Sequence, residues 1–204
     1  MEPSIRPAVA ADVGRIGTIM NDPPGPEMLA MVGDRAIATA FANGLLELEG
    51  IPNPERPTMV AEIDGRVVGF LQYTLGASPM KIGLAQIRVA LRVAGPIRLV
   101  RSIPKQRARQ RVDVPAPPDA FYIAEFHVDP ALRGQGIGSR LLDWADGEGR
   151  RAGRLHLALN THSTNRARAL YERHGFKVTK TREDPEYERY AGIPGRVLME
   201  KWLT

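Results

Sequence analysis

The chain has 204 residues, of which 43% are hydrophobic and 25% are charged, as in an ordinary soluble globular protein. It contains no cysteine, which excludes disulfides, zinc–thiolate sites and an acyl intermediate on cysteine. The first residues have neither a basic start nor an apolar run, and no stretch has the roughly 18 uninterrupted apolar residues of a membrane span. We therefore expect a cytoplasmic protein.

The net charge of +5 is unevenly distributed. Nine basic residues and no acidic residue occur between positions 81 and 111, which leaves a net charge of −4 for the rest of the chain. The nine are Lys81, Arg88, Arg92, Arg98, Arg101, Lys105, Arg107, Arg109 and Arg111. The basic character is local, so it does not by itself indicate a nucleic-acid or membrane partner.

The chain begins with a predicted strand at 4–9, where Pro7 favours an edge position. An amphipathic helix follows from Ala10, and a breaker at 21–26 separates it from a helical stretch. That stretch covers 27–49 and is predicted to break at Gly33 or Gly44.

A β-hairpin is predicted next, because two β-rich runs at 58–63 and 66–75 flank Asp64-Gly65. An Asp-Gly pair between such runs favours a type I′ turn. Residues 80–109 then have helical periodicity with interruptions at Gly95-Pro96 and Pro104. A stiff proline-rich connector at 114–118 follows.

The second half alternates strands and helices more regularly. Leu155, Leu157 and Leu159 are predicted to share one face of a strand, and Asn165 is a good helix cap. The predicted elements are a strand at 120–128, a helix at 136–151, a strand at 154–160, a helix from 163 to 175 and strands at 176–181 and 196–202. The order β-α-α-β-β-insert-β-α-β-α-β-β predicts a single α/β domain over 1–204 with a mixed sheet.

A glycine-rich loop, Arg133-Gly134-Gln135-Gly136-Ile137-Gly138, lies between the predicted strand and helix. Converging N–H groups and the positive end of a helix dipole favour an anion at such a place. A P-loop is excluded because Ser139-Arg140 follows where Gly-Lys-Ser/Thr is needed, and the glycine spacing fits a dinucleotide fold poorly. The loop alone leaves open a purely structural turn.

The run from Phe126 to Leu142 resembles the acetyl-CoA-binding motif of the GNAT N-acetyltransferases. A second family signature follows at the expected distance, in the run from Asn165 to Phe176. The resemblance is close over 120–181 and extends to the first half only as an order of elements. It implies a GNAT acyl-CoA N-acyltransferase fold, with a mixed, mostly antiparallel, twisted sheet flanked by helices.

The resemblance also implies which residues bind acetyl-CoA. A strand backbone would pair with the pantetheine arm, loop N–H groups would hold the pyrophosphate, and an asparagine would contact the pantetheine arm. These residues are, in that order, Phe126, His127 and Val128; Arg133, Gly134, Gln135, Gly136, Ile137, Gly138 and Ser139; and Asn165.

By the same resemblance, an acetyl group passes to a primary amine by direct attack in a ternary complex. The reaction needs a base, because most amines are protonated at pH 7, and Glu125 on the strand before the loop is our candidate. Tyr171 is the candidate general acid, although a tyrosine on such a helix face is commonly a core residue. His127 could aid proton transfer, and the histidines show no metal-ligand spacing, so we expect no metal site.

The segment 79–118 departs from the family outline, as a helical basic insert between the third and fourth strands. An amphipathic helix packed on the domain, a lid over the acceptor site and a homodimer contact are the alternatives. The lack of interleaved aromatic residues disfavours nucleic-acid or membrane binding.

The acceptor, a small-molecule or peptide amine, is not specified by the motifs. Six acids could attract a cationic amine: Glu27, Glu47, Glu49, Glu183, Asp184 and Glu186. Two rival functions are a non-catalytic CoA-binding regulator and a nucleic-acid-binding protein acting through the basic insert.

Overall fold

A seven-stranded mixed sheet organises the computed structural model, which describes residues 2–21, 24–76 and 83–203. The strand order is β1-β2-β3-β4-β5-β7-β6, and only β4 and β5 pair in parallel. The strands are β1 Ser4–Pro7, β2 Thr58–Ile63, β3 Arg66–Leu75, β4 Phe121–Val128, β5 His156–His162, β6 Lys177–Glu183 and β7 Gly195–Trp202.

Helices cover both faces of this sheet. They are α1 Val13–Asn21, α2 Pro26–Val32, α3 Arg35–Glu49, α4 Leu84–Val112, α5 Ile137–Arg151, α6 Arg168–Arg173 and α7 Pro185–Ala191. One apolar cluster lies between the sheet and α5, and a second lies between the sheet and α1 and α3. The predicted mixed, mostly antiparallel sheet flanked by helices is confirmed. None of the described helices is long and apolar enough to cross a membrane.

In the first part of the chain, the structure agrees closely with the elements predicted from the sequence. Strand β1 is an edge strand, and the hairpin turn has positive φ at Asp64 (50°) and Gly65 (75°), as a type I′ turn requires. The helical stretch breaks at Gly33, between α2 and α3. The alternative break at Gly44 is wrong: Gly44 lies within α3, where an added Cβ would be 2.7 Å from Val89 of α4.

Helix α4 lies between β3 and β4 and is kinked at Gly95, whose φ of 75° and ψ of 165° are non-helical. The predicted interruption at Pro104 is wrong, because the helix continues through it. Pro104 leaves the carbonyl of Val100 without its helical partner, and Val100 is 63% exposed, so water can replace that bond. Residues 79–82 of the predicted insert, and Asp22-Pro23 of the predicted breaker, lie outside the described residues.

Three details of the second half differ from the prediction. The helix α7 between the last two strands was not predicted, although Asp184 accepts a hydrogen bond from the Tyr187 N–H (2.8 Å) as its N-cap. Leu155 precedes β5 and is 62% exposed, so it does not share a face with the buried leucines. Helix α6 begins at Arg168, and Asn165 instead accepts from the Ala167 N–H (2.9 Å), which closes a turn.

Candidate active site

The sheet splits between β4 and β5. The two strands pair only where Phe121, Tyr122 and Ile123 face residues 157–159, whereas β4 continues alongside β3 as far as Val128. Over residues 124–128, the described part of the chain places no strand on the β5 side of β4. Backbone groups along this edge are available to an extended ligand, as at other open sheet edges. We refer to this opening as the fork.

A β-bulge at Ala124 sets the direction of the next side chain. In β3, Tyr73 pairs with Ile123 and Gln72 pairs with Glu125, so Ala124 is an extra residue in β4. The bulge turns Glu125 to the sheet face of Tyr122 and away from the core, where Ile123 packs. The sequence leaves the face of Glu125 undetermined, and the structure resolves it.

Glu125 and His127 form a pair at the fork. Their Oε2 and Nε2 atoms are 3.0 Å apart, and the His127 ring stacks on Phe70 with centroids 5.0 Å apart. Burial by surrounding protein favours a higher pKa for Glu125, but the hydrogen bond and charge of His127, with the charges of Arg56 and Arg196, hold that pKa below its ordinary value. Because its pKa is lowered, the Glu125 carboxylate is ionised at neutral pH. Its side chain is 42% exposed and is therefore open to a ligand.

Tyr171 lies on the opposite sheet face. It is 5% exposed and meets the ring of Phe126 edge to face, with centroids 5.7 Å apart. Burial raises the pKa of Tyr171 well above its ordinary value, and the negative charge of Glu125 adds to this effect. The phenol therefore keeps its proton at neutral pH. The fork thus has a carboxylate on one face and a phenol on the other.

The glycine loop follows directly at the end of β4. Gly134 and Gly136 have φ values of 82° and 83°, and Gly136 is the N-cap of α5. The Arg133 Nε donates to the Val128 carbonyl at 3.3 Å, which draws the side chain back toward the strand. A surface hollow of about 260 Å³ lies beside the loop, lined by Glu2, Pro3, Gln135, Gly136, Ser139, Arg140 and Asp143. Arg140 is a basic neighbour that sequence reasoning did not assign.

Three of the predicted cofactor residues have clear structural partners in the protein. An added Cβ at Gly138 would lie 2.9 Å from Leu170 and 3.4 Å from Phe126, so this glycine allows α5 to pack closely on α6 and β4. Asn165 Nδ2 donates to Thr161 Oγ1 at 2.6 Å, which braces the segment after β5. Ile137, next to Gly138, is 1% exposed and packs in the core.

A carboxylate that sequence reasoning missed holds the loop in place. Asp129 accepts from the Ala131 N–H (3.0 Å) and pairs with Arg15 of α1 and, at 3.4 Å, with Arg66 of β3. Burial favours a higher pKa for Asp129, but the Ala131 N–H and Arg15 hold it below the ordinary value. No local sequence signal links Asp129 to α1.

A network of ionic groups covers the charged face of the sheet. Glu27 accepts from Arg196 Nη1 at 2.7 and 2.5 Å and from the Tyr187 hydroxyl, and Arg109 Nε lies 3.6 Å away. Burial opposes ionisation, but Arg196 and Arg109 hold the pKa of Glu27 below its ordinary value. Arg196 lies opposite His162 of β5, so the network borders the fork.

Of the six acids that could attract a cationic amine, four are paired within the chain. Glu27 binds Arg196, Glu49 binds Arg56 at 2.6 Å, and Asp184 and Glu186 each bind Arg111 at 2.6 Å. Glu47 and Glu183 are exposed. Within residues 2–21, 24–76 and 83–203, no group of three or more His, Asp or Glu side chains is arranged to hold a metal ion.

The family assignment comes from comparison with known proteins. The model of the acetyltransferase (GNAT) family matches residues 34–176, so this chain belongs to that family. The family supports acyl transfer from coenzyme A. No protein with a curated description is matched by the sequence.

Solved acetyltransferase structures share the fold. A Corynebacterium glutamicum structure described as histone acetyltransferase HPA2 and related acetyltransferase is 23% identical, with a TM-score of 0.64, covering 100% of this chain and 98% of its own. The PaiA N-acetyltransferase of Thermoplasma acidophilum, in complex with coenzyme A, is 16% identical, with a TM-score of 0.58 and 99% coverage of both chains. The ribosomal-protein-S18-alanine N-acetyltransferase of Escherichia coli is 16% identical, with a TM-score of 0.56, covering 99% of this chain and 94% of its own.

Proposed function

We propose that this chain is an N-acetyltransferase that transfers an acetyl group from acetyl-CoA to a primary amine by direct attack in a ternary complex. One observation carries the proposal: the fork beside the glycine loop has Glu125 on one sheet face and Tyr171 on the other. A donor and an acceptor can thereby reach the same point from opposite sides. The PaiA relative, which contains coenzyme A, supports the same cofactor class here.

The residues at the fork fit the chemistry of coenzyme A. The open edge of Phe126, His127 and Val128 offers backbone groups to the amides of a pantetheine arm. The N–H groups from Arg133 to Ser139, at the start of α5, suit a pyrophosphate. Asn165 holds the segment after β5, and so supports the other wall of the opening.

The catalytic roles follow from the protonation states. Acetyl-CoA, when bound, supplies the activated acetyl group. Glu125, ionised and partly exposed, accepts a proton from the acceptor ammonium, directly or through a water, and leaves a neutral amine. As the new C–N bond forms and the C–S bond breaks, Tyr171 gives its hydroxyl proton to the departing thiolate, and the proton that the attacking nitrogen then releases passes through solvent to restore the Tyr171 phenol. His127 keeps the Glu125 carboxylate in place.

Direct transfer agrees with the absence of cysteine from the chain. We further propose that residues 1–204 form one domain that works in the cytoplasm on a small-molecule or peptide amine. Glu27, Glu49, Asp184 and Glu186 are paired within the chain, and Glu125 is the carboxylate that we place at the fork to meet the acceptor.

The test has two stages. A thermal-shift titration with acetyl-CoA should raise the unfolding temperature, because a ligand that binds the native state stabilises it. A panel of primary amines should then release free thiol from acetyl-CoA, measured with a thiol reagent and checked by mass of the acetylated amine. No shift at saturating acetyl-CoA contradicts the proposal. A shift without thiol release for any amine in a broad panel favours the CoA-binding regulator instead.

A further inference from the structure

Helix α4 repeats one pattern before and after its kink at Gly95: an exposed aliphatic residue followed directly by an exposed arginine. The pattern occurs four times, as Ile87-Arg88, Leu91-Arg92, Ile97-Arg98 and Val100-Arg101. The four aliphatic side chains are between 37% and 68% exposed, and Leu84 at the start of the helix is 75% exposed. We name these nine residues the α4 outer surface.

Helix geometry explains why each pair forms one surface. Consecutive residues are about 100° apart around a helix, so each arginine lies beside the aliphatic residue before it. Leu84, Ile87 and Leu91 have the i, i+3, i+7 spacing of one helix stripe. The opposite side is already used, since Val89 meets Gly44 of α3 and Ala90 is buried. The α4 outer surface therefore consists of α4 residues that the described part of the chain leaves uncovered.

The charge on α4 is of one sign. Residues 84–112 include eight basic residues and no acidic one. Three are engaged within the protein: Lys105 donates to the Ala30 carbonyl at 2.6 Å, and Arg109 and Arg111 form ion pairs. The others have no ion-pair partner among the described residues: Arg88, Arg92, Arg98, Arg101 and Arg107.

The combination of positive charge and exposed apolar side chains indicates which kind of partner would bind the α4 outer surface. A second copy of this chain would bring its own unpaired arginines against these, which is repulsive. A nucleic acid would match the charge but not the exposed aliphatic stripe, and residues 84–112 offer no aromatic ring for base stacking. Binding hot spots of protein interfaces are enriched in tryptophan and tyrosine as well as arginine, and this surface offers only the arginines.

The sequence disfavours a membrane because this segment has no aromatic residue, but the structure shows that its aliphatic side chains are exposed and can supply the apolar contact instead. We propose that the α4 outer surface lies on an anionic lipid membrane. Leucine, isoleucine and valine side chains would enter the boundary between head groups and acyl chains, and the flanking arginines would contact lipid phosphates. The proposal concerns surface attachment of the folded protein and does not depend on acetyl transfer.

The experiment is co-sedimentation with lipid vesicles. The full chain should bind vesicles of phosphatidylcholine mixed with phosphatidylglycerol and should not bind phosphatidylcholine alone. Binding should weaken strongly when salt is raised to about 1 M, where the screening length falls to about 3 Å. Because neither acetyl-CoA nor an amine is present, failure here leaves the proposed acetyltransferase activity untouched, and failure of that activity leaves this result intact.

Two sets of variants locate the contact. Replacing Arg88, Arg92, Arg98 and Arg101 by glutamine should weaken vesicle binding by about fivefold per residue. The matched control removes the same charge from exposed residues elsewhere, by replacing Arg173, Lys177, Lys180 and Arg189 with glutamine, and should bind like the unmodified chain. The double substitution Ile97→Ser and Val100→Ser should weaken vesicle binding at least tenfold, because two aliphatic side chains that would enter the lipid are lost. Its control, the double substitution Val9→Ser and Leu155→Ser, should have no effect on vesicle binding.

Circular dichroism and thermal unfolding must show that each variant is folded, which is expected because every substituted residue is exposed. Three results would overturn the proposal: no binding to anionic vesicles, equal binding to neutral vesicles, or equal weakening by the arginine set and its control. If the chain does not bind vesicles but binds polyglutamate through Arg88 and Arg92, the partner of this surface is instead an acidic protein.

Discussion

The two faces of the sheet beside the fork are built differently. On one face, Ile123, Phe126 and Tyr171 belong to a continuous apolar cluster under α5 and α6. On the other face, Glu125 and Arg196 belong to a surface of ionic and hydrogen-bonded groups, which α2, α4 and α7 cover. Beside the fork, the apolar face comes mostly from residues 121–176, and buried residues of β2, β3 and β7, including Ala61, Val68, Val197 and Met199, complete the cluster. The charged face instead joins Glu27 to Arg196, 169 positions apart.

This difference separates the two tasks of the proposed enzyme. In the proposed enzyme, the apolar face would form the wall beside acetyl-CoA, which every turnover uses. The charged face depends on interactions whose strength is sensitive to a lost partner, to pH and to salt. We therefore expect substitutions on the two faces to change different measured quantities.

The largest expected effect is on turnover. Glu125→Gln removes the proposed base, which typically contributes 10²–10⁴-fold, so we expect kcat to fall by at least ~100-fold. The affinity for acetyl-CoA, measured by calorimetry, should stay unchanged because the substitution lies on the charged face. The control is Glu172→Gln, a 53% exposed glutamate on α6, which should leave kcat unaltered. A Glu125→Gln enzyme with near-normal kcat would remove Glu125 from the mechanism.

The next effect is on stability. Arg196→Met leaves Glu27 without its main partner, and breaking a well-buried pair costs ~3–5 kcal/mol. Because the Arg196 and Glu27 side chains are 10% and 20% exposed, we expect a somewhat smaller loss of ~2–3 kcal/mol in the free energy of unfolding. Denaturant titration measures it. The control is Arg151→Met, which removes a 75% exposed arginine from its pair with Glu148 and should cost less than ~1 kcal/mol.

The double substitution Glu27→Leu and Arg196→Met sharpens this test. Most of the single-variant loss should be recovered, since no unpaired charge is then left in the site, and the coupling should reach ~1–3 kcal/mol. Additive losses would mean that Glu27 and Arg196 stabilise the fold independently.

The sequence predicts the apolar face well for a physical reason. The glycine loop, the helix after it and the strand β4 are local patterns, and their residues lie close together because they are close in the chain. The bulge at Ala124 is invisible in the sequence, because the extra residue depends on pairing with β3. The clamp of Asp129 by Arg15 and the Glu27 network are likewise long-range. Helix α7 is the exception, since Asp184-Pro185 is a recognisable helix start.

A smaller effect distinguishes two glycines at the donor side. Gly136→Ala places a Cβ at a φ of 83°, which costs ~1–2 kcal/mol of stability and should also weaken acetyl-CoA binding by shifting the loop N–H groups. Gly147→Ala, within α5 where an added Cβ meets nothing, should instead raise the unfolding free energy by ~0.5–1 kcal/mol without changing binding. If calorimetry gives the two variants the same affinity for acetyl-CoA, the loop N–H groups do not bind the cofactor.

The smallest effect is a pH dependence on the charged side. The hydrogen bonds from Arg111 and the Tyr187 N–H lower the pKa of Asp184 from 3.8 to about 2. A lowered carboxyl pKa adds stability that is fully present above the ordinary value and is lost as the pH falls through the folded value. Asp184→Asn keeps a cap for α7 but loses the charge. The variant should therefore be slightly less stable than the parent at neutral pH, and the difference should shrink as the pH falls through about 2, as measured by denaturant titration at each pH. A stability difference that persists at the acid end would mean that the cap hydrogen bond, and not the ion pair with Arg111, is what Asp184 contributes to holding α7 over the charged face.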